Sequence, residues 1–446
     1  QASLRRRTQQ SRAILATIKA EGEPEPIGGD LIDLEPLPLE SDEAPRRGAE
    51  AEAEQEPLPD TQESVVTRAQ RPPRAPAAPP RAPQRDKPPT APKRPAAVLD
   101  EPPVDLQGWL AAAVEAGASD VLLHAAAPPK ARFLGELRNL AQGALAPDAA
   151  RSLLTACLDE TQRARLAEAG ELDFAYNADG VGRFRANVYE DHRGLCGAFH
   201  FIPPTPPRLH DLGLPAELAK VVNVHQGLVL ITGPAGCGKT STLAALVNLI
   251  NEERPDHILT AEDPVEYLHE SKCCVVNQRQ VQRDTASFGR ALRAALREDP
   301  DVICIGELRD LETISLALSA AETGHLVLAT MHNASAIRAI NSLVGAYPPD
   351  QQPQVRTMLS ESLRAVIAQR LLPQSDGGGM SLALELLYVN RAVANLIREN
   401  RTFQIASVLQ MGKAEGMQML DASLRELVDE GVVTLEAARA AADNPD

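Results

Sequence analysis

Gly233-Pro234-Ala235-Gly236-Cys237-Gly238-Lys239-Thr240 places two glycines around four free positions and follows them with a lysine and a hydroxyl. A backbone that turns this tightly aims successive N–H groups at one point, which suits the oxygens of a phosphate. The spacing is that of the phosphate-binding P-loop, in which Lys239 reaches the β and γ phosphates of a nucleotide such as ATP. Thr240, with Ser241 beside it, opens a helix whose positive end faces the same anion, and the Thr240 hydroxyl is the expected Mg²⁺ ligand.

Other chemistry-bearing residues fall in Glu262-Asp263-Pro264-Val265-Glu266, Gly306-Glu307-Leu308-Arg309-Asp310 and Met331-His332-Asn333. Glu307 is the first choice for a carboxylate on the Mg²⁺–water shell, and Glu262 for the group that orients or deprotonates an attacking water. Glu262, Asp263 and Glu266 also suit a simpler role, capping the turn that follows. His325 and His332 bracket one apolar run, as a γ-phosphate sensor or interface contact, or as structural histidines. Upstream, Arg183 and Arg185 are two residues apart on one strand face with Arg193 nearby, a pattern that fits either a solvated face or an anion contact.

These residues need an open sheet to gather them. From about Leu212 to Pro373 apolar strands alternate with amphipathic helices, which predicts a parallel sheet with crossover helices. Candidate strands are 227–232, 257–261, 302–305 and 326–330, with a helix over 240–250 after the first. Each strand runs into one of the polar clusters, and the carboxyl edge of such a sheet is where ligands bind. The helix expected over 286–298 carries Arg290, Arg293 and Arg297 on one face, a solvated stripe or an inter-subunit rim. Cys273 and Cys274 are expected as reduced thiols in a strand. About 382–442 reads as one strand followed by helices.

The rest of the chain bounds the context. Its 446 residues hold two or three domains, and a formal charge of −16 argues against a nucleic-acid-binding surface. No apolar run approaches the roughly 18 residues of a membrane span, and the start lacks the centre of a signal peptide, so a cytoplasmic protein is expected. The six cysteines include no C-x-x-C pair, which suggests neither a zinc site nor a disulfide framework. The first residue is Gln rather than Met, which leaves room for a longer natural N-terminus.

Residues 1–20 carry Arg5, Arg6, Arg7, Arg12 and Lys19 without an acid, suited to a partner, an anionic membrane or plain solvation. Residues 21–63 hold fifteen acids against Arg46 and Arg47, and 71–103 hold twelve prolines among seven basic residues. Both stretches are expected to be disordered because neither buries enough apolar surface. The apolar cluster 31–39 is either a short partner-binding motif or chance. Order is expected from Val104: a helix with Trp109, Leu110, Ala113 and Val114 on one stripe, a strand at 121–123, a helix over about 148–168, and strands at 184–189 and around 197–202. These make a compact α+β domain that ends at the linker Pro203 to Pro207.

From about Leu106 to Ala442 the chain resembles the PilT-type, twitching-motility retraction ATPases of the secretion ATPase superfamily. The likeness rests on the P-loop, on Ile258 to Glu266 as an acidic box, on Ala295 to Asp301 through Glu307 to Ile314 as a Walker B region, and on Ala320 to His332 as a histidine box. It implies a fold in which a PAS-like domain, 104–205, precedes a RecA-like P-loop ATPase domain, 206–375, and a mainly helical C-terminal subdomain, 376–446, with a tail over 1–103. It also implies a Mg²⁺-dependent ATPase working as a homo-hexamer against an inner-membrane pilus platform protein, associated with the membrane only through partners. Glu262 matches the family's catalytic acid, Glu307 its Walker B carboxylate, Arg183, Arg185 and Arg193 its N-terminal-domain arginines, and His325 and His332 its two histidines. The related alternatives are an accessory or paralogous motor, and a scaffold that displays the tail to a partner. The assembly branch carries a four-cysteine insertion that this chain lacks. Departures from the pattern are Ala394 in place of the first arginine of a C-terminal signature, Asn341-Ser342 in place of an Asp-Arg pair, and Ala235 and Cys237 within the P-loop.

Overall fold

The computed structural model describes residues 102–443. The basic segment 1–20, the acidic segment 21–63, the apolar cluster 31–39 and the proline-rich stretch up to residue 101 lie outside the described residues.

The chain enters α1 (Leu106–Glu115), where the Asp105 carboxylate accepts from Gly108 N and Leu106, Trp109, Leu110 and Ala113 face inward. Then follow β1 (Asp120–Leu123), β2 (Lys130–Phe133), β3 (Glu136–Asn139), α2 (Pro147–Ala156), α3 (Glu160–Ala169), β4 (Glu171–Ala178), β5 (Gly182–Asp191) and β6 (Gly194–Ile202). The strands form one antiparallel sheet in the order β3-β2-β1-β6-β5-β4. Its core joins Trp109, Leu123, Leu154, Phe174, Phe184 and Phe199.

The single helix expected over 148–168 is two. Asp159 accepts from Gln162 N at 2.8 Å while the Gln162 amide accepts from Asp159 N at 3.0 Å, a reciprocal cap that starts a new helix after Leu158. The expected strands at 184–189 and 197–202 extend toward each other until they meet as a hairpin through Asp191 and Gly194. β4 went unexpected, although Leu172 and Phe174 alternate with exposed neighbours as a half-buried strand requires.

The second sheet is built from β7 (Gly227–Thr232), α4 (Lys239–Glu253), β8 (His257–Glu262), β9 (Val275–Gln280), α5 (Phe288–Ala295), β10 (Val302–Ile305), α6 (Leu311–Thr323), β11 (Leu326–Met331), α7 (Ala336–Gly345), α8 (Gln352–Ser362), β12 (Leu363–Pro373) and β13 (Met380–Tyr388). The strand order is β13-β12-β7-β11-β10-β8-β9, parallel throughout except for β13. Every residue of β7, β10 and β11 is buried, because helices cover both faces and no position along these strands meets water. One core lies under α6, α7 and α8, and the other under α4.

Four short helices follow: α9 (Arg391–Arg398), α10 (Ile405–Met411), α11 (Leu420–Asp429) and α12 (Leu435–Ala441). A division at 375/376 falls in the turn between β12 and β13, which pair from Ala365↔Tyr388 to Pro373↔Met380. β13 is therefore a strand of the ATPase sheet, and the helices after it pack onto that sheet, Val393, Ile397, Ile405 and Leu409 within its core and Leu420, Leu424 and Ala438 against Leu372 and Ala383. The helix expected over 286–298 is shorter, with Ser287 capping its start and Leu296 ending it. Arg297 lies beyond it, so no face carries three arginines. Cys273 and Cys274 sit just before β9, Cys273 exposed and Cys274 buried.

If the Asp159 cap is what divides α2 from α3, Asp159→Ala lowers the unfolding free energy of the N-terminal domain by about 1 kcal/mol. Chemical denaturation followed by circular dichroism reads this, with nucleotide binding expected unchanged.

Candidate active site

The register of the ATPase sheet places its polar clusters side by side. Ile305 lies beside both Ala261 and Ala329, and Met331 beside Thr232. Reading across from β7, the carboxyl edge therefore carries the P-loop, then His332 after β11, then Glu307 after β10, then Glu262 at the end of β8. Neighbouring strands are about 4.8 Å apart, so side chains on adjacent strands touch and those further along act through one another.

Gly233 begins the loop with φ of 146°, and a Cβ there would stand 2.5 Å from both the Cys237 Sγ and the Gln369 main-chain oxygen on β12. No other residue fits. Gly238, at φ of 87°, starts α4 without any side-chain cap, which leaves the N–H groups of the first turn facing the loop. Lys239 is buried, and its Nζ donates to the carbonyls of Gly233 and Pro234, both at 2.9 Å. Burial pulls its pKa below the usual lysine value, against the opposing influence of Cys237 and Glu307. Burial pushes the Cys237 thiol up, so it stays a neutral packing group.

A chain of contacts leads from this ammonium across the edge. Lys239 Nζ lies 3.3 Å from His332 Nδ1, and His332 Nε2 lies 3.1 Å from Glu307 Oε1. The other oxygen of Glu307 accepts from Arg309 Nε at 2.7 Å. Gly306 lets this strand end close on β8, since a Cβ there would sit 3.3 Å from Ala261 O and Glu262 Cα. Asp310 takes no part in the site, because its carboxylate caps α6 by accepting from Thr313 N and Oγ1, each at 2.8 Å.

Glu262 is held by neighbours that the sequence reading did not single out. Thr260 Oγ1 donates to its Oε1 at 2.7 Å and Gln278 Nε2 donates to the same atom at 3.1 Å. Burial raises its pKa above the ordinary carboxylate value while these donors oppose the rise. Ser241 Oγ and the Tyr267 hydroxyl are 3.2 Å apart, tying the first turn of α4 to the acidic box. On the other flank Gln369 donates to Thr242 Oγ1 at 2.7 Å, wholly buried. Beyond β11, Thr232 Oγ1 donates to Asn333 O at 2.7 Å and Asn333 Nδ2 donates to Ser342 Oγ at 2.7 Å. Asn341 Oδ1 accepts from Thr402 Oγ1 at 2.9 Å, which links α7 to the segment after α9.

The N-terminal domain reaches this edge through two of the three expected arginines. Arg183 donates to Val265 O from Nη2 at 2.7 Å and from Nε at 3.2 Å, while its Nη1 donates to Asn177. Arg185 pairs with Glu266 at 3.3 Å. The acidic box is thus engaged by arginines of the same chain. Arg193 is not with them: it sits past the far end of β5, about 30 Å away along the strand, paired with Asp191 at 3.0 Å. His325 is likewise apart, at the amino end of β11 and about 20 Å along it from His332, with Nδ1 at 3.0 Å from Ala320 O. Seven residues of extended chain separate the two histidines across the whole width of the sheet. Only His332 belongs to the P-loop edge.

A parallel sheet with a P-loop, a neighbouring acidic strand end and a second carboxylate on the same edge defines a RecA-like P-loop ATPase with an added N-terminal domain. Residues 212–440 match the family described as Type II/IV secretion system protein. The chain is 44% identical over 343 residues to the type IV pilus retractation ATPase PilT of Pseudomonas aeruginosa, covering 77% of this chain and 99% of that protein. It is 46% identical over 316 residues to a twitching motility protein of Neisseria gonorrhoeae, covering 71% of this chain and 84% of that protein. Among solved structures, the pilus retraction motor PilT with bound ADP superposes with a TM-score of 0.69 at 44% identity, over 77% of this chain and 98% of that one. The chain belongs to the type II/IV secretion system protein family and is an ATPase of the PilT type. Among the described residues no helix is long and apolar enough to cross a membrane.

Gly233→Ala is expected to remove nucleotide binding altogether, because both the backbone conformation and the space at that position exclude a methyl group. Titration with a fluorescent nucleotide measures it.

Proposed function

We propose that this chain is a Mg²⁺-dependent, ATP-hydrolysing motor for type IV pilus retraction, working as a hexameric ring in the cytoplasm at the inner-membrane base of the pilus machine. The observation that carries this reading is the run of contacts Lys239, His332, Glu307 along one sheet edge, with Glu262 on the next strand, in a chain similar to a pilus retractation ATPase over nearly all of that protein's length. The partner against which such a ring works is an inner-membrane platform protein.

Gly233 to Ser241 would hold the nucleotide phosphates with main-chain N–H groups, and Lys239 would exchange its two loop carbonyls for phosphate oxygens. Thr240 and Glu307 would hold Mg²⁺. Their donor set suits it: the ion is bound by one or two protein oxygens with phosphate and water completing the shell, and no cage of three or more acidic, His or Cys side chains is found among the described residues. When bound, the ion neutralises charge on the β and γ oxygens. Glu262 would take the proton of the attacking water, a task suited by the raised pKa that its burial produces. His332 contacts both Lys239 and Glu307, so displacement of the lysine by a γ-phosphate would be felt at the acidic strand. Arg183 and Arg185 stand beside the acidic box and would supply positive charge as the phosphoryl group leaves. Because they belong to the other domain, hydrolysis would change what holds the two domains together.

Lys239→Ala is expected to abolish ATP turnover in a steady-state assay, and Glu307→Ala to reduce it nearly to background; wild-type turnover by the Glu307 variant would sink the assignment. Arg183→Ala should lower kcat by about tenfold or more with nucleotide affinity changed far less. In cells lacking this protein, the intact chain should restore pilus retraction and the Lys239→Ala chain should not.

A further inference from the structure

β8 and β9 run parallel with Thr260 beside Gln278 and Glu262 beside Gln280. Residues two apart share a face, so Thr260, Glu262 and Gln278 form a triangle on one side of the sheet. Gln278 is fully committed: its Nε2 donates to Glu262 Oε1 at 3.1 Å and to Tyr267 O at 2.9 Å, and its Oε1 accepts from His269 N at 2.8 Å. Turning the amide over would set an oxygen against two acceptors and an NH₂ against a donor, so the three partners allow one orientation. Thr260 Oγ1 donates to the same Glu262 oxygen at 2.7 Å. Two side-chain donors therefore converge on Oε1, the Glu266 main-chain N–H also bonds the carboxylate, and no side-chain donor reaches Oε2 among the described residues.

We propose that Gln278 and Thr260 are positioning residues that pin Glu262 through Oε1, so that Oε2 is the oxygen presented to the attacking water. The inference rests on the reading of Glu262 as the hydrolytic base. A carboxylate has lone pairs on both oxygens and turns freely about its last bond. Held at one oxygen by a rigid amide and a hydroxyl, it loses that freedom, and proton abstraction gains a fixed direction. The donors also hold the carboxylate in its charged form against the burial that favours the neutral one.

Other titratable groups lie around Glu262. Glu266 on its own loop disfavours ionisation, with the Glu266 main-chain N–H opposing; Arg183 approaches from the N-terminal domain; Cys304 of β10 is a neutral thiol, its pKa raised by burial. His269 is kept neutral by burial, which lowers its pKa to about 4. Thr260→Val removes the donor to Glu262 alone, whereas Gln278→Leu also leaves Tyr267 O and His269 N without their partner, so the variants at 260 carry the cleaner reading.

The test is single-turnover ATP hydrolysis by the full chain as a function of pH, which reads the chemical step apart from product release. Gln278→Leu and Thr260→Val should each move the acidic limb upward by about one pH unit, with the apparent KM for ATP within about twofold of wild type. Thr260→Ser, which keeps the hydroxyl, should return the limb. If Gln278→Leu fails to fold, the Val and Ser variants at 260 read the same quantity. An unmoved limb in both donor-deleted variants, or a loss confined to KM, would overturn the clamp. Glu262→Gln separates the two levels: wild-type turnover in that variant overturns the base assignment and this inference with it, whereas its inactivity beside unmoved limbs overturns the clamp alone.

Discussion

The Lys239 ammonium is the constraint on which the rest of the ATPase sheet depends. A buried cation must be paired or solvated by dipoles, and here two carbonyls of its own loop and one histidine nitrogen do that work. This arrangement requires Gly233 to lie hard against Gln369, so that the loop folds back over the lysine. It also requires β11 beside β7, because only that order brings His332 to the loop. The same order puts β10 next, and Glu307 completes the run. A strand sequence that separated β11 from either neighbour would leave the lysine, histidine and glutamate unable to touch.

The N-terminal domain is tied to this edge by a second kind of contact. Ile202 at the end of β6 is buried with Ala244 and Tyr267, a small apolar cluster at the point where the proline-rich linker begins. Around it Arg183 and Arg185 hold the acidic box, and Arg165 bonds Gln282 after β9. Guanidinium groups on a carbonyl and a carboxylate give orientation as well as charge, which a lysine would not.

Much of this was legible in the order of residues. β7, β10 and β11 are unbroken apolar runs that end abruptly in glycine, acid or histidine, and a strand buried on both faces has no other appearance. The P-loop announced itself through backbone needs that few sequences meet. What stayed hidden depends on register. A strand is expected at Cys273 and Cys274, but the one that forms is the more polar Val275–Gln280 just after them, paired along β8. Without the extent and register of that strand, Gln278 has no neighbour and no apparent role. The two histidines bracket one apolar run as expected, and that strand carries them to opposite edges, so that only His332 meets the P-loop. Arg193 lies at the other end of the same strand from Arg183 and Arg185, at the hairpin turn, where it pairs with Asp191. The α2–α3 break was readable in principle from Asp159 and Gln162, but the flanking helical periodicity masked it.

Asn341 and Ser342, which stand where the resemblance leads one to expect an Asp-Arg pair, each make a neutral hydrogen bond, Ser342 with Asn333 and Asn341 with Thr402. Dissolved electrolyte screens ion pairs at the surface and leaves such bonds almost untouched. The N-terminal domain, by contrast, meets the acidic box partly through the half-exposed pair Arg185–Glu266. The two connections that radiate from the phosphate edge thus answer to different solvents: ionic strength loosens the one toward the N-terminal domain and passes over the one toward the C-terminal helices.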